Sequence, residues 1–445
     1  AGVAGVAART AHAPPARRRS RPHVARPTRT LARARSSLYP DDPMIPGTPF
    51  HPRTEPLNRK RLWREWAGLV AAAQYADGHD IEYAAIREAA ALIDVSPLYK
   101  VRLRGPDALR LVDRVIVRDA SRLDVGRVFY TCWCDDDGKV IDDGTVACVA
   151  PDEIRWTAAD PQYRWLRLNA AGLDVEIEDV TESLAALAVQ GPLSRAVVEA
   201  AIGESLADLG YFRCRSATVR TADGSRVAVD VSRTGYTGDL GYELWIPAAD
   251  APAVWDALVA AGEPYRARPV GLAALDVARL EAGLILLEVD YTSSRRALVA
   301  DQTYSPFEIG LGRLVDLRKP SFVGRRALVA EQARGGPPRR LVGLVLDWPA
   351  IEALYAEHGL PPVAPAAVDR SPTPVFDATG RQVGRLTSHG WSPLLKQVIG
   401  LASVGAAHAA IGTRLAAEWT VEGRRGRVAA TVVPLPFLDL ERKRA

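Results

Sequence analysis

Residues 230–247 read DVSRTGYTGDLGYELWIP and pack two glycine-flanked turns, two tyrosines and a carboxylate into one segment. The second half alternates. Tyr242, Leu244 and Ile246 are expected on one face of a strand, Glu243 and Trp245 on the other. A solvated outer face would explain an isolated acid, but not an acid beside a tryptophan directly after a glycine-rich turn. The flanking chain has to supply the reason.

Upstream, RVFYTCWCDDDGKVIDDGTVACVA (127–150) reads as two strands joined by an Asp/Gly turn, with Asp142 and Asp143 adjacent on the second strand. Alternation sends these two acids to opposite faces, so one can face solvent while the other enters an interior. YKVRLRGPDALRLVDRVIV (99–117) reads as a strand, then a Gly-Pro-Asp helix start, then a helix with Leu109, Val112 and Ile116 on one face. Residues 59–92 read as helical, broken at Gly78. AADAPAVWDALVAAG (248–262) reads as an amphipathic helix that Asp250 caps and Gly262 ends. Strands that alternate with helices, partly in hairpins, indicate an α+β fold rather than a parallel dinucleotide-binding sheet. EQARGGPPRR (331–340) reads as a linker, and beyond it short β-type runs punctuated by Gly and Pro suit a small barrel or sandwich. The Pro-rich residues 359–374 read as an inserted surface loop.

Composition narrows the class. A chain of 445 residues, 48% hydrophobic and 25% charged, can bury the cores of two or three domains, and no apolar run approaches the length of a membrane span. Residues 1–43 carry nine Arg against two Asp, a balance of +7, so the remainder of the +4 chain sums to −3. The body is therefore slightly acidic, and neither a nucleic-acid footprint nor a membrane partner is expected. The basic segment reads as disordered: either upstream sequence before a start at Met44, the favoured reading, or an Arg-rich organelle transit peptide. With fifty-one Arg against six Lys, a bacterial cytoplasmic protein is expected. Cys132 and Cys134 form C-x-C without a nearby His, so reduced thiols and no metal site are expected. Read alone, Arg279 and Glu281 in LDVARLEAGL would be a helix-surface pair.

Taken together and in order, DVSPLYKVRLRGPDA, FYTCWCDDDGKVIDDGTV, AVQGPLS, the opening stretch, RPVGLAALDVARLEAGL, PFEIGLGRLVDL, RRLVGLVL and VVPLPF resemble the glycine-cleavage T-protein family of folate-dependent one-carbon transferases, over residues 60–438. The resemblance implies a three-lobed cloverleaf: two α/β lobes around a central folate site (residues 44–330), the linker at 331–340, and a C-terminal β-barrel (341–445). It implies tetrahydrofolate as cofactor, with Glu243 accepting the paired N–H donors of the pterin. Tyr236 and Tyr130 would contact folate, Thr157 and Arg279 would belong to the cofactor site, and Asp143 would be the catalytic carboxylate. The donor would be a lipoyl carrier protein, in aminomethyl transfer, or a small molecule undergoing O-, S- or N-demethylation. A non-catalytic folate-binding assembly factor is disfavoured because the cysteine of that branch is missing. A flavin-dependent dehydrogenase fragment is disfavoured because no G-x-G-x-x-G occurs.

The chain departs from the family pattern at the rim. Pro97 stands for a histidine, Lys100 for an acid, Leu275 for a cofactor-linked arginine, Thr157 for an asparagine and Gly144 for a leucine. Before PFEIG an extra stretch, YTSSRRALVADQTYS (291–305), offers Tyr291, Arg295, Arg296 and Tyr304 as candidate contacts for an aromatic or carboxylated donor. The bland alternative for this stretch is a solvated basic loop.

Overall fold

The computed structural model describes residues 45–444; the basic segment and the expected start at Met44 lie outside the described residues. Two sheets and a barrel carry the architecture. The first sheet runs in the order Cys214–Arg220, Arg226–Ser232, Gly241–Pro247, Leu184–Gln190, Ala91–Asp94, Arg268–Pro269. Only its last pairing is parallel. The second runs Val128–Cys134, Val140–Ala150, Glu153–Ala158, Tyr99–Arg104, Glu176–Asp179, antiparallel throughout. Six further strands, from Arg339–Leu346 to Arg424–Val433, close into a barrel. Largely antiparallel sheets packed with helices, and a separate barrel, are the α+β architecture expected.

In the first sheet Leu92, Leu187, Val189, Tyr242, Leu244, Ile246 and Val231 pack beneath helices Ser194–Ile202 and Ala251–Gly262. In the second, Val101, Leu103, Phe129, Trp133, Val146, Ile154 and Trp156 pack beneath helix Ala108–Val115. The opposite faces of both sheets are not solvated. Trp245, Ala186, Ala188 and Ile93 of one sheet join Cys132 and Cys134 of the other in a central core, together with helix Leu272–Glu281. Ala273 through Glu281 of that helix are all buried, so the surface-pair reading of Arg279 and Glu281 fails. Glu281 is instead a structural hub. It accepts from the Tyr83 hydroxyl at 2.6 Å, from Arg87 Nη2 at 2.6 Å and from the Ser392 hydroxyl.

Two local expectations need correction. Residues 59–92 are not continuously helical: Trp63–Trp66 and Leu69–Ala72 form a hairpin, and helix begins only at His79. The cause is the turn, where Ala67 and Gly68 both take positive φ (51° and 80°), matching a tight turn to the twist of its strands. The helix after Gly105 buries Ala108, Leu111, Val112 and Val115, while Leu109 is 38% exposed. Val112 and Ile116 of the expected face are buried, and Ala108, Leu111 and Val115 complete that face in place of Leu109. Near the linker, helix Arg325–Ala333 and strand Arg339–Leu346 leave only 334–338 without regular structure.

Candidate functional site

The glycines of the opening stretch are explained by one buried amide. Gln190 Nε2 donates to the carbonyls of Thr234 and Tyr242 (both 3.2 Å), and its Oε1 accepts from the Thr237 hydroxyl at 2.8 Å. A Cβ at Gly235 would stand 2.0 Å from Gln190 Oε1, and one at Gly241 2.3 Å from that oxygen, so the turn is wound directly around this side chain. The wrap fixes where Gly241–Pro247 begins and therefore which face Glu243 takes. Glu243 and Trp245 point inward, with Ser232 and Asp230 as their ladder partners. The solvated-face reading is overturned, since Trp245 is 4% exposed.

Register on the second sheet places Tyr130, Asp143, Thr145, Thr157 and Lys100 on its inner face: Tyr130 lies opposite Thr145, Thr145 opposite Thr157, and Thr157 opposite Lys100. Gly144 lets these strands approach; a Cβ there would meet the Thr157 carbonyl oxygen at 2.1 Å. Arg155 joins the two inner faces. Its Nη1 donates to Asp230 at 2.7 Å, and its guanidinium lies 4.2 Å over the Trp245 ring.

The two acids part as alternation requires. Asp142 turns into the outer core, where it accepts from the Asp160 backbone N–H at 2.9 Å, from Gln162 Nε2 at 3.2 Å and from the Asp143 N–H at 2.8 Å. Asp143 is half-buried on the inner face and takes one phenol on each oxygen: Tyr130 at 2.7 Å on Oδ2 and Tyr291 on Oδ1. Burial pushes the Asp142 carboxyl well above the usual carboxylate range, and the Asp143 charge adds to this. Burial also raises Asp143, but the bonds from Tyr291 and Tyr130 pull the other way. Burial and mutual repulsion therefore disfavour charge on both acids at once, and at Asp143 the two phenols oppose that push.

Tyr236 is held by its hydroxyl on the Ile285 carbonyl; burial raises its phenol, with Arg279, Asp143 and Asp290 within electrostatic range. Arg279 is 1% exposed, donating to Asp276 at 2.8 Å, Asp290 at 2.7 Å and Ser388 of the barrel at 3.2 Å. Burial works against its charge, but Asp290 and Asp276 more than offset that. Its Nη2 is buried without a hydrogen-bond partner. Glu243 accepts from the Thr234 hydroxyl at 2.5 Å on Oε2; burial raises its carboxyl, while Thr234 and Arg155 oppose that.

The inserted stretch divides. Tyr291 is buried on Asp143. Arg295 lies 4.8 Å over the Trp165 ring, and Arg296 pairs with Asp160 at 2.7 Å, both exposed. Tyr304 does not reach the acids. Its hydroxyl accepts from Arg385, its ring lies 3.9 Å beneath the Arg339 guanidinium, and it forms no hydrogen bond to Asp142 or Asp143. The loop between the two tyrosines carries Tyr304 to the barrel residues Arg339 and Arg385. Leu275 is buried in the central core. Sequence reasoning missed Arg155 and Gln190; a charged residue alternating with Trp156 in EIRWTA was the available signal for the first. Among the described residues no group of His, Cys, Asp and Glu could hold a metal ion.

Residues 56–319 match the model of the GCVT N-terminal domain, and residues 339–439 that of the glycine cleavage T-protein C-terminal barrel domain. The chain is 35% identical over 385 residues to the aminomethyltransferase of Moorella thermoacetica, covering 85% of this chain and 94% of that protein. It is 38% identical over 373 residues to the trimethylamine-oxide aldolase of Ruegeria pomeroyi, but this spans 82% of the chain and only 43% of that longer protein. The crystal structure of the glycine cleavage system aminomethyltransferase T from Bartonella henselae superposes with a TM-score of 0.74 at 25% identity, covering 89% of this chain and 98% of that one. With both family models matched in sequence order across most of its length, the chain belongs to the glycine cleavage T-protein family.

Proposed function

We propose that this protein is a tetrahydrofolate-dependent one-carbon transferase that moves an aminomethyl or methyl unit to folate, with aminomethyl transfer as the default. The observation that carries the reading is Asp143, a carboxylate on the inner wall oriented by two phenols, opposite a sheet that presents Glu243 inward. The residues fit a reduced pterin. Glu243 has one oxygen engaged by Thr234 and the other available to a ligand donor, and Arg279 keeps a buried Nη2 without a partner. A ligand that presents two N–H donors side by side would favour the ionised form of Glu243 that burial disfavours. Bound tetrahydrofolate would supply the amine that accepts the one-carbon unit.

The chain's own residues then do three things. Asp143 accepts or orients a proton at its carboxylate and stabilises positive charge that develops beside it. Tyr130 and Tyr291 fix the carboxylate plane, and their hydrogen bonds favour its ionised form against the push of burial. Asp142, on the opposite face of the strand, holds the hairpin through the Asp160 and Asp143 N–H groups and the Gln162 amide. A second reading, demethylation of a small molecule in place of a lipoyl-carried aminomethyl group, is favoured by one observation: the phenol on Asp143 Oδ1 comes from the inserted stretch.

The test is calorimetric titration of tetrahydrofolate into the protein, with Glu243→Ala as control. A donor screen follows with lipoyl carrier, methylated glycines and methoxylated aromatics. Micromolar binding lost in Glu243→Ala supports the folate reading, and wild-type protein that fails to bind refutes it.

A further inference from the structure

Although the body of the chain is slightly acidic, one cavity of about 610 Å³ gathers five arginines: Arg118, Arg122, Arg127, Arg313 and Arg318. It is built between the segment after helix Ala108–Val115 and residues 313–318. These walls are locked together without any ligand. The Asp316 N–H donates to the Val117 carbonyl at 2.9 Å, and buried Lys319 donates to the carbonyls of Asp113, Ile116 and Arg118 at 2.6, 3.0 and 2.9 Å.

The acids in the cavity wall do not neutralise it. Asp316 is spent on Arg318, which it grips at 2.9 and 2.8 Å, and Asp119 accepts from the Ser121 N–H. Arg127 leans on Asp124 at 3.4 Å. Arg118, Arg122 and Arg313 form no ion pair with any described residue. Arg118 is half-buried, its guanidinium 3.8 Å over the Phe129 ring, and its Nη1 donates to the Tyr130 carbonyl at 3.3 Å. Burial lowers its pKa, and the neighbouring charges of Arg127, Arg122 and Arg313 lower it further. Five guanidiniums against the two acids Asp119 and Asp316 leave the cavity wall with an excess of positive charge, and the guanidiniums around Arg118 repel one another; an anion among them would reverse the sign of that interaction.

We propose that this cavity is a binding site for a small flexible oligoanion, one that carries two or more carboxylates or phosphates along a chain. The planar donor fork of arginine matches either group bidentately, which lysines would not. Several such forks around one cavity of ligand size favour multiple charges on one molecule over a single ion. The site lies behind the reacting acids: Phe129 and Tyr130 are consecutive on one strand, so the face that meets Arg118 is opposite the face that meets Asp143.

Equilibrium dialysis of the full chain with tri-γ-glutamate and with inorganic tripolyphosphate, at about 50 and about 200 mM salt, tests it. The expected result is binding of one or both with Kd below about 1 mM, weakened at the higher salt, at least tenfold weaker in Arg118→Gln/Arg122→Gln and unchanged in Arg226→Gln. Tri-γ-glutamate alone would identify a carboxylate chain as the source, tripolyphosphate alone a phosphate chain. Because Arg118 also packs on Phe129, the exposed Arg122→Glu and Arg313→Glu variants repeat the test without disturbing that contact. Failure of both probes to bind, or binding that survives all of these substitutions, overturns the proposal.

Discussion

Removing the Tyr291 hydroxyl should move the acid limb of the reaction without dismantling the site. Tyr291 donates to one oxygen of Asp143, and Tyr130 to the other at 2.7 Å. Both bonds favour the ionised carboxylate and oppose the upward push of burial. A hydrogen bond to a charged group contributes about 1.5–3 kcal/mol. Asp143 is only partly buried, so water replaces part of the lost bond, and the low end applies. One pKa unit corresponds to about 1.4 kcal/mol, so Tyr291→Phe should carry the acid limb of kcat/KM upward by about one unit. The sign follows from the charge state: less stabilisation of the anion means a higher pKa, and the active form is lost at higher pH as the solution is acidified. The pH–rate profile with the donor found by the screen is the assay. Independently of any donor, so is the carboxyl ¹³C titration of the aspartate signal that disappears in Asp143→Asn. Tyr130→Phe should move both in the same direction. An acid limb and a ¹³C titration that stay in place, with only the plateau lowered, would refute the claim that the phenols act on the charge of Asp143.

Three further substitutions probe the frame around the site. Asp143→Asn should abolish turnover while leaving tetrahydrofolate affinity within about tenfold of wild type, or about 1.4 kcal/mol, measured by the same titration. Lys100 is fully buried, with its ammonium on the Ser96 carbonyl at 2.6 Å, and burial brings its pKa down to about 8. Below that value both folded and unfolded chains hold the proton; between about 8 and 10.5 the unfolded chain binds it more. Stability should therefore rise through that window by roughly 3 kcal/mol relative to Lys100→Met, read as the difference in urea unfolding between the two proteins at pH 7.5 and pH 10.5. Gly144→Ala drives a methyl into the Thr157 carbonyl and should lower the melting temperature together with activity; a variant with unchanged melting and full activity would show that the strands can spread there at no cost.

How much of this was legible in the sequence depends on the range of the interaction. The hairpin that carries Asp142 and Asp143, and the opposite fates of the two acids, follow from a period of two and a turn, both local. The helical reading of residues 59–72 failed locally as well, because two positive-φ turn residues outweighed a run of good helix formers. The glycines around Tyr236 mark a turn in the sequence, but what they accommodate is Gln190, a residue on another strand that no local pattern points to. For Arg155 the strand pattern of EIRWTA marked a charge on one face, but its significance comes from a facing sheet.

The same consideration changes how the departures from the family pattern should be weighed. Lys100 and Thr157 look like two unrelated substitutions in the chain, but antiparallel register sets them directly opposite one another on the inner wall, with Thr157 also opposite Thr145. They belong to one surface: where the resemblance implies an acid and an amide, this chain carries a buried ammonium and a hydroxyl. A buried charge is tolerated only with its surroundings adjusted, and here Arg155 on the same face pushes the Lys100 proton off while Asp94 and Asp179 hold it on. Restoring the acid alone, as Lys100→Glu, would put a carboxylate near Asp94 and Asp179 without the amide that accompanies it in the family. It should destabilise the fold more than Lys100→Met does, and adding Thr157→Asn should recover part of that loss. Strict additivity of the two changes in a double-mutant cycle would show that the wall is not a unit.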